Sequence, residues 1–342
     1  MATKLLNSKK INIKITKLAS MIAIGIALAS GMVLGNTYTA ESATEQGNTL
    51  ITQANVIGVD GGNVIEVDSA GTVVWEKIGV DGPTDAERLA NGNTLLTEFV
   101  GGQVTEVDST GTVVWQKTGL KGPYDAERLA NGNTLITEFH IDRVIEVNDA
   151  GTVVWQKIGV DGPTDAERLA NGNTLITEYY VGQVTEVDST GTVVWQKTGL
   201  TAPEDAERLA NGNTLITESI PDRVIEVNDA GTVVWQKTTG LNDPSDAERL
   251  ANGNTLITEY NGGRVIEVND AGTVVWQKTG LNIPVDAERL PYEGSPPTDG
   301  ITVGITVLPV DKIELLMPWL GLAGLLMLTA FTCIIVRKRI TY

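Results

Sequence analysis

The sequence is poor in cysteine and histidine, with one residue of each among 342. The cysteine, Cys333, lies in an apolar segment near the C-terminus, so the rest of the chain can form neither a disulfide framework nor a thiolate metal site. The histidine, His140, belongs to no serine–histidine–aspartate or zinc-binding motif, and the sequence has no phosphate-binding glycine loop. Hydrolase and nucleotide-binding functions therefore have no residues to support them.

Basic residues are also scarce over most of the chain. Residues 45–311 hold 41 acidic side chains and 16 basic ones, and 16 minus 41 gives a net charge of −25. A segment with this charge repels polyanions. Nucleic acid and anionic lipid are therefore poor partners for it.

The N-terminal segment has the pattern of an export signal. Residues 1–43 carry five lysines and an apolar run over 18–35, followed by the small-x-small sequence Ala40-Glu41-Ser42. This order of features predicts a signal peptide over 1–43. An uncleaved N-terminal anchor is the alternative, because the apolar run is close to the minimum length for a membrane span.

A second apolar segment lies near the C-terminus. Residues 315–336 contain no charged side chain and are followed at once by Arg337, Lys338 and Arg339. This pattern predicts a linker over 292–314, a transmembrane helix over 315–336 and a cytoplasmic tail over 337–342. The repeat body would then lie outside the cell on a single-pass anchor.

The body consists of a unit of about 40 residues that occurs six times. The full unit, read from Asp125, is DAERLANGNTLITEFHIDRVIEVNDAGTVVWQKIGVDGP. It contains four short runs rich in Val, Ile and Thr (DAERL, NTLITE, RVIEV and TVVWQK), separated by turn sequences such as NGN and DAG. Four short strands per unit are typical of a propeller blade, and a parallel β-helix is the alternative.

The first and last units are incomplete in complementary ways. GNTL occurs at Gly47 without a preceding DAERL, and the last DAERL, at Asp286, runs into PYEGSPP. Together the two partial units make one complete blade, as in a ring closed by pairing of its N- and C-terminal strands. We therefore predict an all-β six-bladed β-propeller over 44–291, in addition to the C-terminal transmembrane helix.

Two motifs resemble those of known propeller families. AGTVVWQKT, from Ala230, resembles the tryptophan-docking motif of quinoprotein-type (PQQ-like) propellers, and DAERLANGNTLIT resembles the repeat of arylsulfotransferase-like propellers. The resemblance covers about residues 47–290 and implies that each repeat tryptophan wedges between neighbouring blades. The tryptophans concerned are Trp75, Trp115, Trp155, Trp195, Trp235 and Trp276.

The chain also departs from both families. Quinoprotein enzymes usually have eight blades and often a vicinal disulfide in the cofactor pocket, which a chain with one cysteine cannot form, so we expect no PQQ. Arylsulfotransferase-like enzymes resemble one another in a catalytic histidine, but His140 lies in TEFHIDR, outside the family motif. It is the one catalytic candidate, and the sequence favours a protein that is not an enzyme.

Differences between the units are concentrated in two loops, one before DAERL and one after LITE. In an up-and-down blade both loops open on the same side of the disc, which we call the variable face. Aromatic side chains beside carboxylates suit a carbohydrate, a cationic ligand or a protein partner; the alternative is that the aromatics only cap the blade edges. The ligand-binding candidates around the channel mouth are Phe99, Tyr124, Phe139, His140, Tyr179, Tyr180, Tyr260, Glu98, Glu138, Glu178, Glu218 and Glu259.

The aspartates of DAERL are expected close to the propeller axis. At separations of about 8 Å and an effective dielectric constant of about 20, each close pair costs about 2 kcal/mol. Ion pairs between the arginine of one blade and the acids of the next would offset this repulsion, and a bound Ca²⁺ ion is the alternative. The candidate calcium ligands are Asp85, Asp125, Asp165, Asp205, Asp246 and Asp286.

Together these features predict a membrane-anchored extracellular propeller that acts as a binding or cell-surface interaction module. Two alternatives stay open. One is an arylsulfotransferase-like or other propeller enzyme with its site at the channel mouth, and the other is a structural component of the cell envelope.

Overall fold

The computed structural model describes residues 47–54 and 61–291. Within these ranges the chain forms 24 strands and one short 3₁₀ turn, Phe139–Ile141. The strands are β1 (Thr49–Gln53), β2 (Gly62–Val67), β3 (Val73–Val80), β4 (Pro83–Arg88), β5 (Thr94–Glu98), β6 (Gln103–Val107), β7 (Val113–Thr118), β8 (Pro123–Arg128), β9 (Thr134–Glu138), β10 (Arg143–Val147), β11 (Val153–Ile158), β12 (Pro163–Arg168), β13 (Thr174–Glu178), β14 (Gln183–Val187), β15 (Val193–Thr198), β16 (Pro203–Arg208), β17 (Thr214–Glu218), β18 (Arg223–Val227), β19 (Val233–Lys237), β20 (Pro244–Arg249), β21 (Thr255–Glu259), β22 (Arg264–Val268), β23 (Val274–Thr279) and β24 (Pro284–Arg289).

The strands form six antiparallel four-stranded sheets, which are the blades of the propeller. Blade 1 has the order β24-β1-β2-β3, and blades 2 to 6 take the remaining strands in chain order, four at a time. In blade 1, Ile51 pairs with Ala287, and the Leu290 amide donates a hydrogen bond of 2.8 Å to the Asn48 carbonyl. The predicted six-bladed ring, closed by its N- and C-terminal strands, is confirmed.

Burial changes across each blade from the axis to the rim. The second strand is buried along its whole length, as in β5 and β9, because neighbouring blades cover both of its faces. The fourth strand, such as β7, is largely exposed and keeps its tryptophan half-buried. A short continuous apolar run such as TLITE therefore forms an interior strand, and the tryptophan marks the outer one.

The hydrophobic core is divided among the six interfaces between blades. Leu95 and Val104 of blade 2 pack with Ile136 and Ile145 of blade 3 in one cluster. The same type of cluster joins blade 6 to blade 1 across the closure. Burying each such side chain stabilises the fold by roughly 1.5–3 kcal/mol, so every interface contributes in the same way.

Each tryptophan contacts the next blade at the rim. The Trp75 indole donates a hydrogen bond of 3.1 Å to the Ser109 carbonyl, and Lys77 donates one of 3.2 Å to the Gly111 carbonyl. Both acceptors belong to the β6–β7 turn of blade 2. The interblade role implied for the tryptophans is therefore present at each of them, with the equivalent bonds at Trp115, Trp155, Trp195, Trp235 and Trp276.

The DAERL arginine forms an ion pair with the preceding blade, but its partner is not the DAERL acid that was predicted. The Arg88 guanidinium lies 5.0 Å from the Trp75 ring centre and bonds to Glu66 at 2.7 Å. Glu66 belongs to the third strand of blade 1, so the acid of each interblade ion pair comes from RVIEV or its variants and not from DAERL. The same pair recurs at all six interfaces.

Several predicted segments lie outside the described residues. These are the signal peptide over 1–43, the linker over 292–314, the transmembrane helix over 315–336 and the tail over 337–342. Within 47–54 and 61–291, no helix has the length and hydropathy needed to cross a membrane.

Replacing Lys278 by methionine tests ring closure, because the change keeps the length of the side chain but removes its hydrogen bond to the Gly71 carbonyl across the closure. We expect the free energy of unfolding to fall by about 1–2 kcal/mol, as for a partly buried hydrogen bond from a charged donor.

Lys157→Met is the matched control, since Lys157 makes the same bond to Gly191 between two internal blades. Denaturant unfolding should give losses that agree within about 0.5 kcal/mol. A Lys278 variant of normal stability beside a destabilised Lys157 variant would contradict closure.

Candidate functional site

The two variable loops of each of blades 2 to 6 lie side by side. The Phe99 amide, after β5, donates a hydrogen bond of 2.9 Å to the carbonyl of Gly82, before β4, and the Leu120 amide donates one of 3.0 Å to the Gly102 carbonyl. The predicted variable face is therefore present as one surface, at the end of the channel where the inner strands begin.

One position in the loop before DAERL requires a left-handed backbone. It is glycine in three blades, with φ of 64° at Gly82, 62° at Gly122 and 61° at Gly162. A Cβ atom at Gly162 would lie 2.5 Å from the Tyr180 ring. Glycine thus serves the turn and also lets the side chain of the neighbouring loop pack directly on the backbone.

Six rings from blades 2 to 4 form a continuous surface, the aromatic patch. Phe139 is at its centre, with ring centres 5.8 Å from Tyr124, 6.2 Å from Phe99 and 5.3 Å from Tyr180. Tyr180 is 64% exposed. The patch consists of Phe99, Tyr124, Phe139, His140, Tyr179 and Tyr180.

The five candidate glutamates lie beneath the loops and not around the channel mouth as predicted. Glu98 accepts hydrogen bonds from the Asp81 amide at 3.1 Å and the Thr105 hydroxyl at 2.9 Å. Glu138 accepts one from the Lys121 amide and pairs with Arg143. These carboxylates tie one variable loop to the other, and the same arrangement holds for all five: Glu98, Glu138, Glu178, Glu218 and Glu259.

His140 is an exposed member of the aromatic patch. Its ring centre is 4.9 Å from that of Phe99, and it lies in the 3₁₀ turn after β9. Among the described residues its imidazole has ring contacts and no hydrogen-bonded acid or base. The arrangement shows no partner that would orient this histidine for catalysis.

The axial channel, of about 350 Å³, is lined by the acidic side chains and the alanine of DAERL. Asp85 accepts a hydrogen bond of 3.2 Å from the Ala126 amide, and Glu87 accepts one of 2.8 Å from the Arg128 amide. These bonds recur at every interface, so the inner acids connect the inner strands of successive blades.

The channel raises the pKa of its carboxyl groups. Shielding from bulk water is the main cause for the aspartates, and neighbouring carboxylates raise the pKa further. The pKa reaches about 8 for Asp165 and Asp246 and about 7 for Glu127 and Glu207. The channel therefore holds protons near neutral pH, which lowers the repulsion expected among the charged ring.

Over 47–54 and 61–291, no three or more histidine, cysteine, aspartate or glutamate side chains converge as ligands of one ion. Calcium binding by the aspartate ring stays a prediction, which melting in millimolar calcium after chelator treatment would test.

A hydrogen bond crosses the mouth of the channel on the variable face. The Tyr124 hydroxyl, from blade 3, donates to the Glu204 carboxylate of blade 5 at 3.3 Å, and Ser219 donates to the other oxygen at 3.0 Å. Burial raises the pKa of Glu204 to about 7, and the bonds from Ser219 and Tyr124 lower it. Tyr124 is thus held over the mouth by blade 5.

Beside this bond lies a cavity of about 540 Å³, the tyrosine cavity. Four blades carry an aromatic residue directly after the second strand, but blade 5 has Ser219 there. The cavity lies where that ring is missing. Its lining is Tyr124, Tyr179, Glu204, Ser219, Ile220, Pro221, Asp222, Asn242, Asp243, Ser245, Tyr260 and Asn261.

The tyrosine cavity takes in three of the predicted aromatic residues, Tyr124, Tyr179 and Tyr260. Sequence comparison missed its acids, Glu204, Asp222 and Asp243, because none stands beside an aromatic residue in the chain. Glu204 and Asp243 each occur in one unit only, and Asp222 has a counterpart in Asp142 of blade 3. The sequence signal for the cavity is Ser219. It is the one residue directly after the second strand of blades 2 to 6 that is not aromatic.

A protein-family model matches most of the propeller. It belongs to the PQQ-like repeat type, carries the description outer membrane protein assembly factor BamB, and matches residues 60–209 and again 141–284. No curated protein matches the sequence.

Solved structures share the fold at low sequence identity. A protein of unknown function from Bacteroides caccae is 17% identical with a TM-score of 0.61, covering 71% of this chain and 98% of that chain. A chain of a nidogen/laminin complex is 14% identical with a TM-score of 0.57, covering 72% and 99%. Virginiamycin B lyase from Staphylococcus aureus is 12% identical with a TM-score of 0.51, covering 67% and 84%. Because one of these is a lyase and another belongs to a protein complex, the likeness concerns the fold alone.

Asp165→Asn tests protonation of the channel. The folded-state pKa of Asp165, about 8, lies above its unfolded value of 3.8, so its contribution to stability is present at low pH and lost as pH rises towards 8. Removing the charge should raise the melting temperature at pH 8.5 by roughly 4 °C and change it little near pH 4, close to the pKa of this carboxyl in the unfolded chain.

Asp161→Asn, in an exposed loop, is the control and should change little at either pH. If the Asp165 variant lost the same stability at both pH values, the ionised carboxylate would be needed for stability. That result would contradict protonation of the channel.

Proposed function

Because the chain belongs to the PQQ-like propeller family whose model is described as outer membrane protein assembly factor BamB, we propose that it is a binding module that holds a protein partner at the cell envelope. The observation that carries the proposal is the aromatic patch. It joins loops of three successive blades into one partly exposed surface.

The patch has the composition of a protein-binding surface. Interfaces are enriched in tyrosine and other aromatic side chains, which provide much of the contact area at little cost in conformational entropy. The exposed valine and isoleucine beside the rings, Val100 and Ile141, extend its apolar area. The buried glutamates below keep both loops in place, so a partner would meet a surface that is already ordered.

The scaffold is separate from this surface. Contacts that stabilise the ring lie between blades and recur six times, whereas the patch comes from loops that differ between units. The single histidine lacks an acid or base partner in the described part of the chain. A binding role would therefore use the loops that differ between the units. An enzyme would have to work with a histidine that no described acid or base orients.

The location is part of the proposal. The lysine-rich apolar start, the uncharged segment over 315–336 and the basic residues after it support a single-pass anchor with the propeller outside the cell. Protease added to intact cells should cleave the propeller loops if this is so. Full protection of the body, with cleavage after lysis, would rule out an outward-facing propeller.

Phe139→Ser combined with Tyr180→Asn tests the patch, since each replacement is the residue that another blade has at the same position, Ser219 and Asn261. Full-length protein should be compared with the variant in cross-linking to envelope proteins, with the captured partner identified and its affinity measured. We expect at least about a tenfold loss of affinity, as for an interface centre.

The control is Val154→Thr with Val194→Thr, on exposed outer strands away from the loops. Equal affinity of the patch variant and the unmodified protein, or an equal loss in the control, would reject the patch as the binding surface. Loss of sulfuryl transfer from an aryl sulfate on His140→Ala would instead support the enzyme alternative.

A further inference from the structure

The tyrosine cavity lies where blade 5 lacks the aromatic ring that four other blades have after their second strand. Blades 2, 3 and 4 place Phe99, Phe139 and Tyr179 after the second strand, and blade 6 places Tyr260 there. Ser219 of blade 5 is buried, at 8% exposure, and leaves the space of the absent ring open. The volume of about 540 Å³ is in the range of small-molecule sites.

Tyrosine rings from three blades contribute to its wall. Tyr124 is fixed by its hydrogen bond to Glu204 at 3.3 Å. Tyr179 is packed edge-on against Tyr180, with ring centres 5.4 Å apart, and Tyr260 enters from blade 6. The faces of such rings carry partial negative charge and attract cations.

The charge of the wall has one sign. Glu204, Asp222 and Asp243 line the cavity, and none of its lining residues is basic. Asp222 accepts the Asp243 amide at 2.7 Å, and Asp243 accepts the Asn261 side chain at 2.7 Å. The second oxygen of each aspartate stays outside these bonds. Burial and then Asp222 raise the pKa of Asp243, which indicates that the pair lacks a compensating positive charge.

A hydroxyl at the border of the cavity also lacks a partner. The oxygen of Ser245 is inaccessible to solvent and has no hydrogen bond in the described part of the chain. Ser245 lines both the tyrosine cavity and the channel mouth. The border of the cavity therefore includes a polar group that the described residues do not satisfy.

We propose that the tyrosine cavity binds a small organic cation, with its alkylammonium head group between the tyrosine rings and the carboxylates of Asp222 and Asp243. The aromatic walls disfavour a bare metal ion, which takes oxygen ligands on all sides. The carboxylates disfavour an anion, and a neutral ligand would leave them unpaired. This inference rests on the binding role proposed for the variable face and gives that face a small-molecule ligand.

Calorimetric titration of the purified full-length protein with choline and with propylammonium provides the test. The uncharged comparison is 3,3-dimethylbutan-1-ol, which has the shape of choline without its charge. We expect at least one of the two cations to bind, and for choline an affinity about tenfold above that of the alcohol.

Three variants locate the site. Ser219→Tyr restores the ring that blades 4 and 6 have and should abolish binding by filling the cavity. Asp222→Asn and Asp243→Asn keep the shape and should each weaken binding about three- to tenfold. Ser109→Tyr and Asp161→Asn are matched controls in exposed turns outside the cavity and should bind as the unmodified protein does.

The outcomes separate this inference from the proposed function. Failure of both cations to bind, equal binding of choline and the alcohol, or full binding by the two aspartate variants would overturn the cation site even if Ser219→Tyr failed to fold. Envelope-protein capture that depends on the aromatic patch would still stand in those cases. A neutral sugar that binds unless Ser219 is replaced would overturn the ligand class and leave a binding module.

Discussion

No blade of this propeller can complete its own hydrogen bonds or bury its own faces. The inner strand of each blade donates amides to carboxylates of the blade before it, as Ala126 and Arg128 do to Asp85 and Glu87. The apolar side chains of each second strand are covered by the neighbouring blades. Stability is therefore a property of the interfaces, and an incomplete ring would leave two of them open.

This dependence accounts for the acidic channel. Carboxylates reach the backbone amides of the next blade only if they lie near the axis, where six copies converge. The repulsion that follows is reduced by protonation, which the raised pKa values of Asp165 and Glu127 indicate. Among the described residues the DAERL arginines form no direct ion pair with the ring, because each is paired with the tryptophan and the third-strand glutamate of the preceding blade. The channel acids are in this sense part of the scaffold.

The blade count, the strand order and the closure could be predicted from the sequence because each depends on repeated local patterns. The position of Glu98 could not. Its place in the chain, beside Phe99, suggests a ligand site, but one of its oxygens accepts the Asp81 amide of the other loop and the other accepts side chains of β6. Long-range pairing of this kind leaves no periodic trace. The ion-pair partner of Arg88 could not be predicted for the same reason. Glu66 is acidic and recurs in every unit, as the DAERL acids do, so the sequence does not show which of these acids pairs with the arginine.

The closure of the ring also decides where the chain enters and leaves it. Asn48 and Leu290 are hydrogen bonded to each other at the ends of β1 and β24. Both residues lie at the end of blade 1 where the LANGNT turns of the other blades lie, opposite the variable loops. Residues 47 and 291 are thus neighbours on one side of the disc, and the aromatic patch and the tyrosine cavity are on the other. A tether joined at either point would therefore pull on blade 1, on the side of the disc opposite the aromatic patch and the tyrosine cavity.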